Sequence, residues 1–252
     1  RVSAISVRMS NPTPAQCTVI EEVGSTGVGA LALGFIILAV ATVIFLSKAW
    51  NAGEHKSYYL ATSYLSGIGT IVYFAMLSGE GWTTVTGCRQ FFWVRNAGWF
   101  VTQPLVVLLL GLVAQSDNAS IAAGMGAVAI FNVATYFGAV ADVQSVKWIW
   151  LLIGVVGLVG ALVAVTRTFK SAVQLRGSLE IEQLYGRLAT LASFALAAYP
   201  LVWLFAVGFG GFSVSFEVCA YAVLDVLLQA VAGFVVVGAQ ATLASGAPKE
   251  FV

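Results

Sequence analysis

The chain reads as an all-α integral membrane protein, a bundle of seven transmembrane helices. Three observations predict this. Hydrophobic residues fill 60% of the 252 positions and charged ones only 9%, where ordinary soluble domains are about a quarter charged. A soluble protein so poor in charge could not cover its own surface. Apolar stretches of about twenty residues, the length that crosses a hydrocarbon core, recur seven times along the chain. Short polar connectors separate them, so successive helices must run antiparallel in one up-and-down bundle.

The first stretch runs from Gly27 to Trp50 and ends in the polar "NAGEHK". The second, Ser57 to Leu77, is followed by the connector "SGEGWTTVTGCRQ". The third, Phe91 to Ala114, contains Arg95 and Pro104, and "QSDN" separates it from the fourth, Ala119 to Val140. "ADVQSVK" leads into the fifth, Trp148 to Val165. The longest polar link, "TRTFKSAVQLRGSLEIEQLYGR", precedes the sixth, Leu188 to Val207, and "GFGGFS" precedes the seventh, Val214 to Leu243. This divides the chain into an N-terminal tail (1–26), a transmembrane domain (27–244) and a C-terminal tail (245–252). Neither an internal repeat nor a second domain is visible.

Basic residues in short loops set orientation. Lys48, Lys56, Arg167, Lys170, Arg176 and Arg187 fall in the first-to-second and fifth-to-sixth links, whereas Arg89 and Lys147 stand at helix ends or on either face. The N-terminus is therefore expected outside or lumenal, and the C-terminus cytoplasmic or stromal. The tail "RVSAISVRMSNPTPAQ" has two arginines, three serines and no acid. That composition fits a transit-peptide remnant, with a plastid as one destination, and fits an unstructured tail equally well.

The near balance of twelve basic and eleven acidic residues argues against nucleic-acid binding. Cys17, Cys88 and Cys219 are an odd, sparse set without metal-ligand spacing, and His55 lies in a polar connector beside Glu54 and Lys56. No nucleophile–base pair or phosphate loop supports an enzyme.

Charged groups inside a membrane are costly, so each is a candidate functional residue. Arg95 in the third helix and Asp225 in the seventh are expected to satisfy one another, with Glu217 reached through water. The neutral reading is an ion pair that locks two helices. Pro104 and Pro200 each free a carbonyl within a helix, and Trp99, Tyr199 and Trp203 flank them.

These residues resemble the microbial (type I) rhodopsins, seven-helix proteins that bind retinal, over all seven helices. "RNAGWFVTQPL" (Arg95–Leu105) is similar to the third-helix motif, "YPLVW" (Tyr199–Trp203) to the sixth-helix retinal-pocket motif, and "LDVLLQ" (Leu224–Gln229) to the seventh-helix pattern of Asp, three residues, then the retinal-attaching lysine. The resemblance implies that Tyr73 stands for the second-helix tyrosine and Glu217 for the proton-release glutamate of many pumps. It also implies departures. Gln229 occupies the retinal-attachment position, Gly98 the counterion position and Leu109 the proton-donor position.

An amide forms no Schiff base, so covalent retinal and light-driven pumping are not expected. Loss of both the Schiff base and one carboxylate leaves Arg95 against Asp225, so Gln229 and Gly98 read as matched losses. The leading expectation is a structural or interaction component among membrane lipids, packed with other membrane proteins, a photosynthetic complex or its own copies. Glycines in "GVVGLVGALV" of the fifth helix would permit close lateral contact. A second expectation is non-covalent retinal, carotenoid or chlorophyll, sandwiched by Trp99, Tyr199 and Trp203 and lined by Thr102, Gln103, Phe131, Trp150 and Leu196. Leu196 there replaces a pocket tryptophan, and the bulk of Gln103 would fill part of the space. A third, a light-independent transporter, would use Arg95, Asp225 and Glu217, which with Tyr73 form the expected buried polar cluster.

Overall fold

The computed structural model describes residues 13–50, 56–239 and 243. The transit-peptide reading of residues 1–12, the pair Glu54 and His55, and the C-terminal tail with Lys249 lie outside the described residues. Seven helices are long and apolar enough to cross a membrane: α1 (Ser25–Trp50), α2 (Lys56–Leu77), α3 (Trp93–Ala114), α4 (Asn118–Val140), α5 (Gln144–Leu175), α6 (Leu179–Gly208) and α7 (Val214–Gly238). They follow one another in chain order around a core into which each turns one face.

The connector between α2 and α3 is more ordered than its sequence suggests. It forms a hairpin of β1 (Thr83–Val85) and β2 (Arg89–Phe91), antiparallel and in register from Thr83 opposite Phe91 to Val85 opposite Arg89. The chain before α1 adds to it. Glu21 bridges to Arg89 in parallel, its N–H donating to the Cys88 carbonyl at 2.8 Å and its own carbonyl accepting from the Gln90 N–H at 2.9 Å. A disulfide joins Cys17 to Cys88. Two of the three cysteines are thus one bond, which the sparse spacing did not suggest, and the strap they anchor lies across the N-terminal face.

The polar link from Thr166 to Arg187 is a second correction. Most of it is helix: α5 continues to Leu175 and α6 begins at Leu179, leaving only residues 176–178 as the turn. Gly177 there takes φ +70°, a left-handed conformation that only glycine adopts without steric cost. At 32 residues, α5 is about 48 Å long against a hydrocarbon core of about 30 Å. Its last turns therefore project beyond the lipid, where Arg167 and Lys170 are exposed. Hydrophobicity marks the part of a helix inside lipid, not where the helix ends.

The fifth-helix glycines serve packing within the bundle. A Cβ at Gly157 would stand 2.6 Å from the Ala127 carbonyl oxygen, and one at Gly154 3.4–3.5 Å from Ala134 and Phe131. These glycines let α5 approach α4. Pro104 and Pro200 both sit within continuous helices. Wider π turns interrupt α5 at Ala164–Phe169, α6 at Leu204–Gly208 and α7 at Leu227–Val231.

Candidate functional site

The centre of the bundle is built around Asp225, which α7 carries at mid-helix with 1% of its surface exposed. Three helices aim neutral donors at it. The Tyr73 hydroxyl of α2 donates to one carboxylate oxygen at 2.8 Å. The Trp99 indole N–H of α3 and the Tyr199 hydroxyl of α6 donate to the other, each at 2.7 Å. Gln229 Nε2, one turn along α7 and inside its π turn, reaches the same oxygen at 3.4 Å. Several donors on one carboxylate spread its charge without a cation in direct contact, and this is how a buried carboxylate avoids its full desolvation cost.

Arg95 is not the partner of Asp225. Its guanidinium donates to Glu217 and lies over the ring of Tyr221, 4.4 Å from the centroid, with Trp99 at 5.2 Å. Glu217 also accepts from Arg89 at 2.8 Å. Arg89 continues outward to Glu21 at 3.4 Å and to the Phe212 carbonyl, and the second Glu21 oxygen accepts the Val214 N–H at 3.1 Å. The expected pair of Arg95 with Asp225 is therefore replaced by a line of alternating charge, Arg95, Glu217, Arg89 and Glu21. It runs from mid-membrane to the strap on the N-terminal face. Among the buried charged residues, Arg89 and Arg95 stand against Glu217 and Asp225, with Lys147 a fifth near the N-terminal face.

The other positions singled out from sequence are distributed as follows. Gly98 faces α2, where an added Cβ would stand 2.6 Å from Val72 Cγ2. Gln229 Oε1 occupies the space over Gly69, where a Cβ would fall 1.9 Å from it. Leu109 is buried in an all-apolar cluster with Leu65, Leu196 and Leu228. Trp99, Thr102, Gln103, Phe131, Leu196, Tyr199 and Trp203 are all buried, but they pack on one another. The void at Gly69, Gly98, Trp99, Thr102 and Gln229 is about 10 Å3.

Gln103 Oε1 accepts from Asn132 Nδ2 at 3.1 Å, and Trp203 donates to the Thr135 carbonyl at 3.0 Å. Trp150 is half-buried and stacks on Phe137, 5.1 Å between centroids, so it stands apart from the central group. Sequence reasoning missed Tyr221, Glu21, the contact of Asn132 with Gln103 and the roles of Arg89 and Lys147. For Arg89 a signal existed, because it follows Cys88 in the connector that carries the disulfide. No comparable signal marks Tyr221 or Asn132, which are ordinary residues in apolar helices.

Comparison with known proteins places these features. A family profile described as "Bacteriorhodopsin-like protein" matches residues 29–243. Archaerhodopsin-3 of Halorubrum sodomense is 27% identical over 219 residues, 84% of each chain. A bacteriorhodopsin of Haloterrigena sp. is 30% identical over 215 residues, covering 81% of this chain and 84% of its own. Among solved structures, a cyanorhodopsin from the cyanobacterium Calothrix sp. superposes with a TM-score of 0.84 at 30% identity, over 88% of this chain and 99% of the other. A light-driven proton pump from Leptosphaeria maculans gives 0.82 at 26% identity, over 89% and 99%.

Proposed function

The chain belongs to the bacteriorhodopsin-like family, the microbial type I rhodopsins, and within it we propose a member that forms no Schiff base with retinal, does not pump, and serves as a structural or interaction component of its membrane. The observation that carries this reading is Gln229, hydrogen-bonded to Asp225 one turn away. A retinal aldehyde condenses with an amine, and an amide offers none. Lys48, Lys56, Lys147 and Lys170 lie in the end turns of their helices or beside a helix end.

Retinal, when bound, supplies light absorption and isomerisation, but the residues here fit it poorly on two counts. The attachment amine is missing from position 229. The void beside it, about 10 Å3, is at the lower limit of the space that one water needs and far short of a polyene. Gly98 adds to this, since Val72 fills the place of a side chain there. The two central charged groups are already partnered: Asp225 has its donors and Arg95 its carboxylate.

A second reading keeps a pigment without a covalent bond. Thr102 Oγ1, Gln103 Nε2 and Gln229 Oε1 are buried without a hydrogen-bond partner. A retinal, carotenoid or chlorophyll with a polar end would satisfy some of them if the aromatic residues separated.

For orientation, two observations favour an N-terminal face that is outside or lumenal. The Cys17–Cys88 bond belongs in an oxidising compartment, and the exposed basic residues Lys48, Arg167, Lys170, Arg176 and Arg187 gather at the opposite face.

The visible spectrum of gently purified protein, before and after adding all-trans-retinal, tests the function. The expected result is a colourless protein that stays colourless. A band present on purification and released by solvent would establish the pigment-binding reading in its place. A band that forms with retinal and survives denaturation would overturn both.

A further inference from the structure

A groove of about 330 Å3 opens toward the lipid between the first half of α3 and the second half of α4. Trp93 and Phe100 of α3 line it with Tyr136 and Phe137 of α4, and all but the half-buried Tyr136 are exposed. Two of these rings are braced by others. Phe137 stacks on Trp150, and Tyr136 leans on Phe91 with 6.2 Å between centroids. The groove is thus formed before anything fills it.

Two amides also line the groove, Asn96 and Asn132, only 5% and 2% exposed. Asn132 Nδ2 is surrounded by acceptors, the Trp99 and Val128 carbonyls at 3.3 and 3.0 Å and Gln103 Oε1 at 3.1 Å. That fixes the nitrogen and leaves Oδ1 as the free atom. Among the described residues neither Asn132 Oδ1 nor Asn96 Oδ1 accepts a hydrogen bond. A lipid tail laid in the groove has no donor and would leave both oxygens unsatisfied.

We propose that this groove binds a sterol whose hydroxyl donates to Asn96 Oδ1, with Asn132 Oδ1 a second acceptor on the opposite wall. No carboxylate lines the groove, so the donor is a neutral alcohol and not an ammonium, whose charge would go unpaired. Along α3 the walls run from Trp93 to Phe100, roughly 10 Å at 1.5 Å per residue, a third of a hydrocarbon core of about 30 Å. That length suits a compact fused-ring body against aromatic walls, and not a polyene drawn out across the membrane. Asn96 lies within one turn of Trp93, the first residue of α3, so the hydroxyl stands near the interface that tryptophan favours. The site does not depend on whether the centre of the bundle holds a pigment.

The test uses the whole chain in phosphatidylcholine nanodiscs with a diazirine analogue of cholesterol that keeps its hydroxyl, cross-linked by light and read by peptide mass spectrometry. Labels concentrated on the groove residues of α3 and α4 are expected, displaced by cholesterol and not by cholestane, which has the same rings without the hydroxyl. Asn96→Leu should weaken the apparent affinity for cholesterol by about tenfold, the loss of one hydrogen bond. Ala97→Phe, which fills the groove from an exposed position, should abolish the labelling. Labels spread evenly over the lipid-facing helices, equal displacement by cholestane, or an affinity unchanged in both variants overturns the site. Displacement by the dihydroxy carotenoid zeaxanthin at lower concentration than cholesterol gives the groove to a polyene and overturns the sterol. Should Asn96→Leu fail to fold, Ala97→Phe and the cholestane comparison decide.

Discussion

From Asp225 toward the N-terminal face, the interior holds Arg89, Arg95, Lys147 and Glu217; toward the opposite face the same space is filled by Leu65, Leu109, Leu196 and Leu228, each at most 2% exposed. Several hydroxyls on that side turn to backbone carbonyls: Thr62, Ser63 and Ser66 of α2 donate within their own helix, and Tyr185 of α6 donates to the Val165 carbonyl of α5. Thr42 of α1 donates to Ser66 at 3.0 Å, a contact confined to two helices. One half therefore resembles the outlet of a conducting path, and the other a plug. A transporter needs a polar route through both, so this contrast weighs against a light-independent transporter and in favour of a structural role.

The largest break in the comparison should come from Glu217→Gln, which strands the buried Arg95 guanidinium and leaves Arg89 with Glu21 as its carboxylate. A loss of about 3–5 kcal/mol is expected, seen as a steep fall in folded yield and in the unfolding midpoint. Removing Arg95 and Glu217 together, as Arg95→Gln with Glu217→Gln, should cost less than Glu217→Gln alone; a strictly additive cost would mean that the pair is not coupled.

Asp225→Asn should cost less, about 1–3 kcal/mol, because its neighbours are neutral donors and the amide oxygen still accepts from some of them. The same variant sharpens the contrast between the halves: liposomes carrying the unaltered chain should show no ion flux above the lipid background, and Asp225→Asn none less. Flux that disappears with Asp225→Asn would reopen the transporter reading.

Cys17→Ser acts more locally. It should leave the bundle's midpoint nearly unchanged while protease cleavage of the strap between residues 13 and 24 rises, since hydrogen bonds of Glu21 and Val23 and the Glu21–Arg89 ion pair would then hold the strap without a covalent bond.

The smallest effect belongs to the N-terminal end of α4. Asp117 caps that helix, accepting the Ser120 N–H at 2.9 Å, and its contacts with Ser120 hold its carboxyl below the ordinary aspartate value. A depressed pKa adds stability above the unfolded value, and that stability is lost as pH falls through the folded one. Asp117→Ala should therefore lower the midpoint slightly at neutral pH and remove a small acid-side decline; an unchanged pH profile would show that the cap contributes nothing.

How much of this was legible in the sequence varied with the kind of interaction. The seven spans follow from hydropathy, because lipid rewards apolar residues wherever they lie along a helix. Helix ends did not follow, as Thr166–Arg187 illustrates: outside lipid a helix needs no apolar residues, so the polar turns of α5 and α6 looked like a link. The Asp225–Gln229 spacing placed both on one turn, and their contact at 3.4 Å follows from local helix geometry. The partner of Arg95 did not follow, since Asp225 and Glu217 lie two turns apart on α7 and only the packing of α3 decides which one the guanidinium meets.

Membrane insertion, helix number, the family motifs and the glutamine at position 229 were thus determined by the sequence alone, because each depends on composition or on spacing within one helix. The pairing of Cys17 with Cys88, the line from Arg95 to Glu21, the closed centre around Trp99 and the contact of Lys147 with the Val207 carbonyl were decided only by the tertiary structure. Each joins residues distant in sequence, and the distances that settle them are set by how seven helices pack.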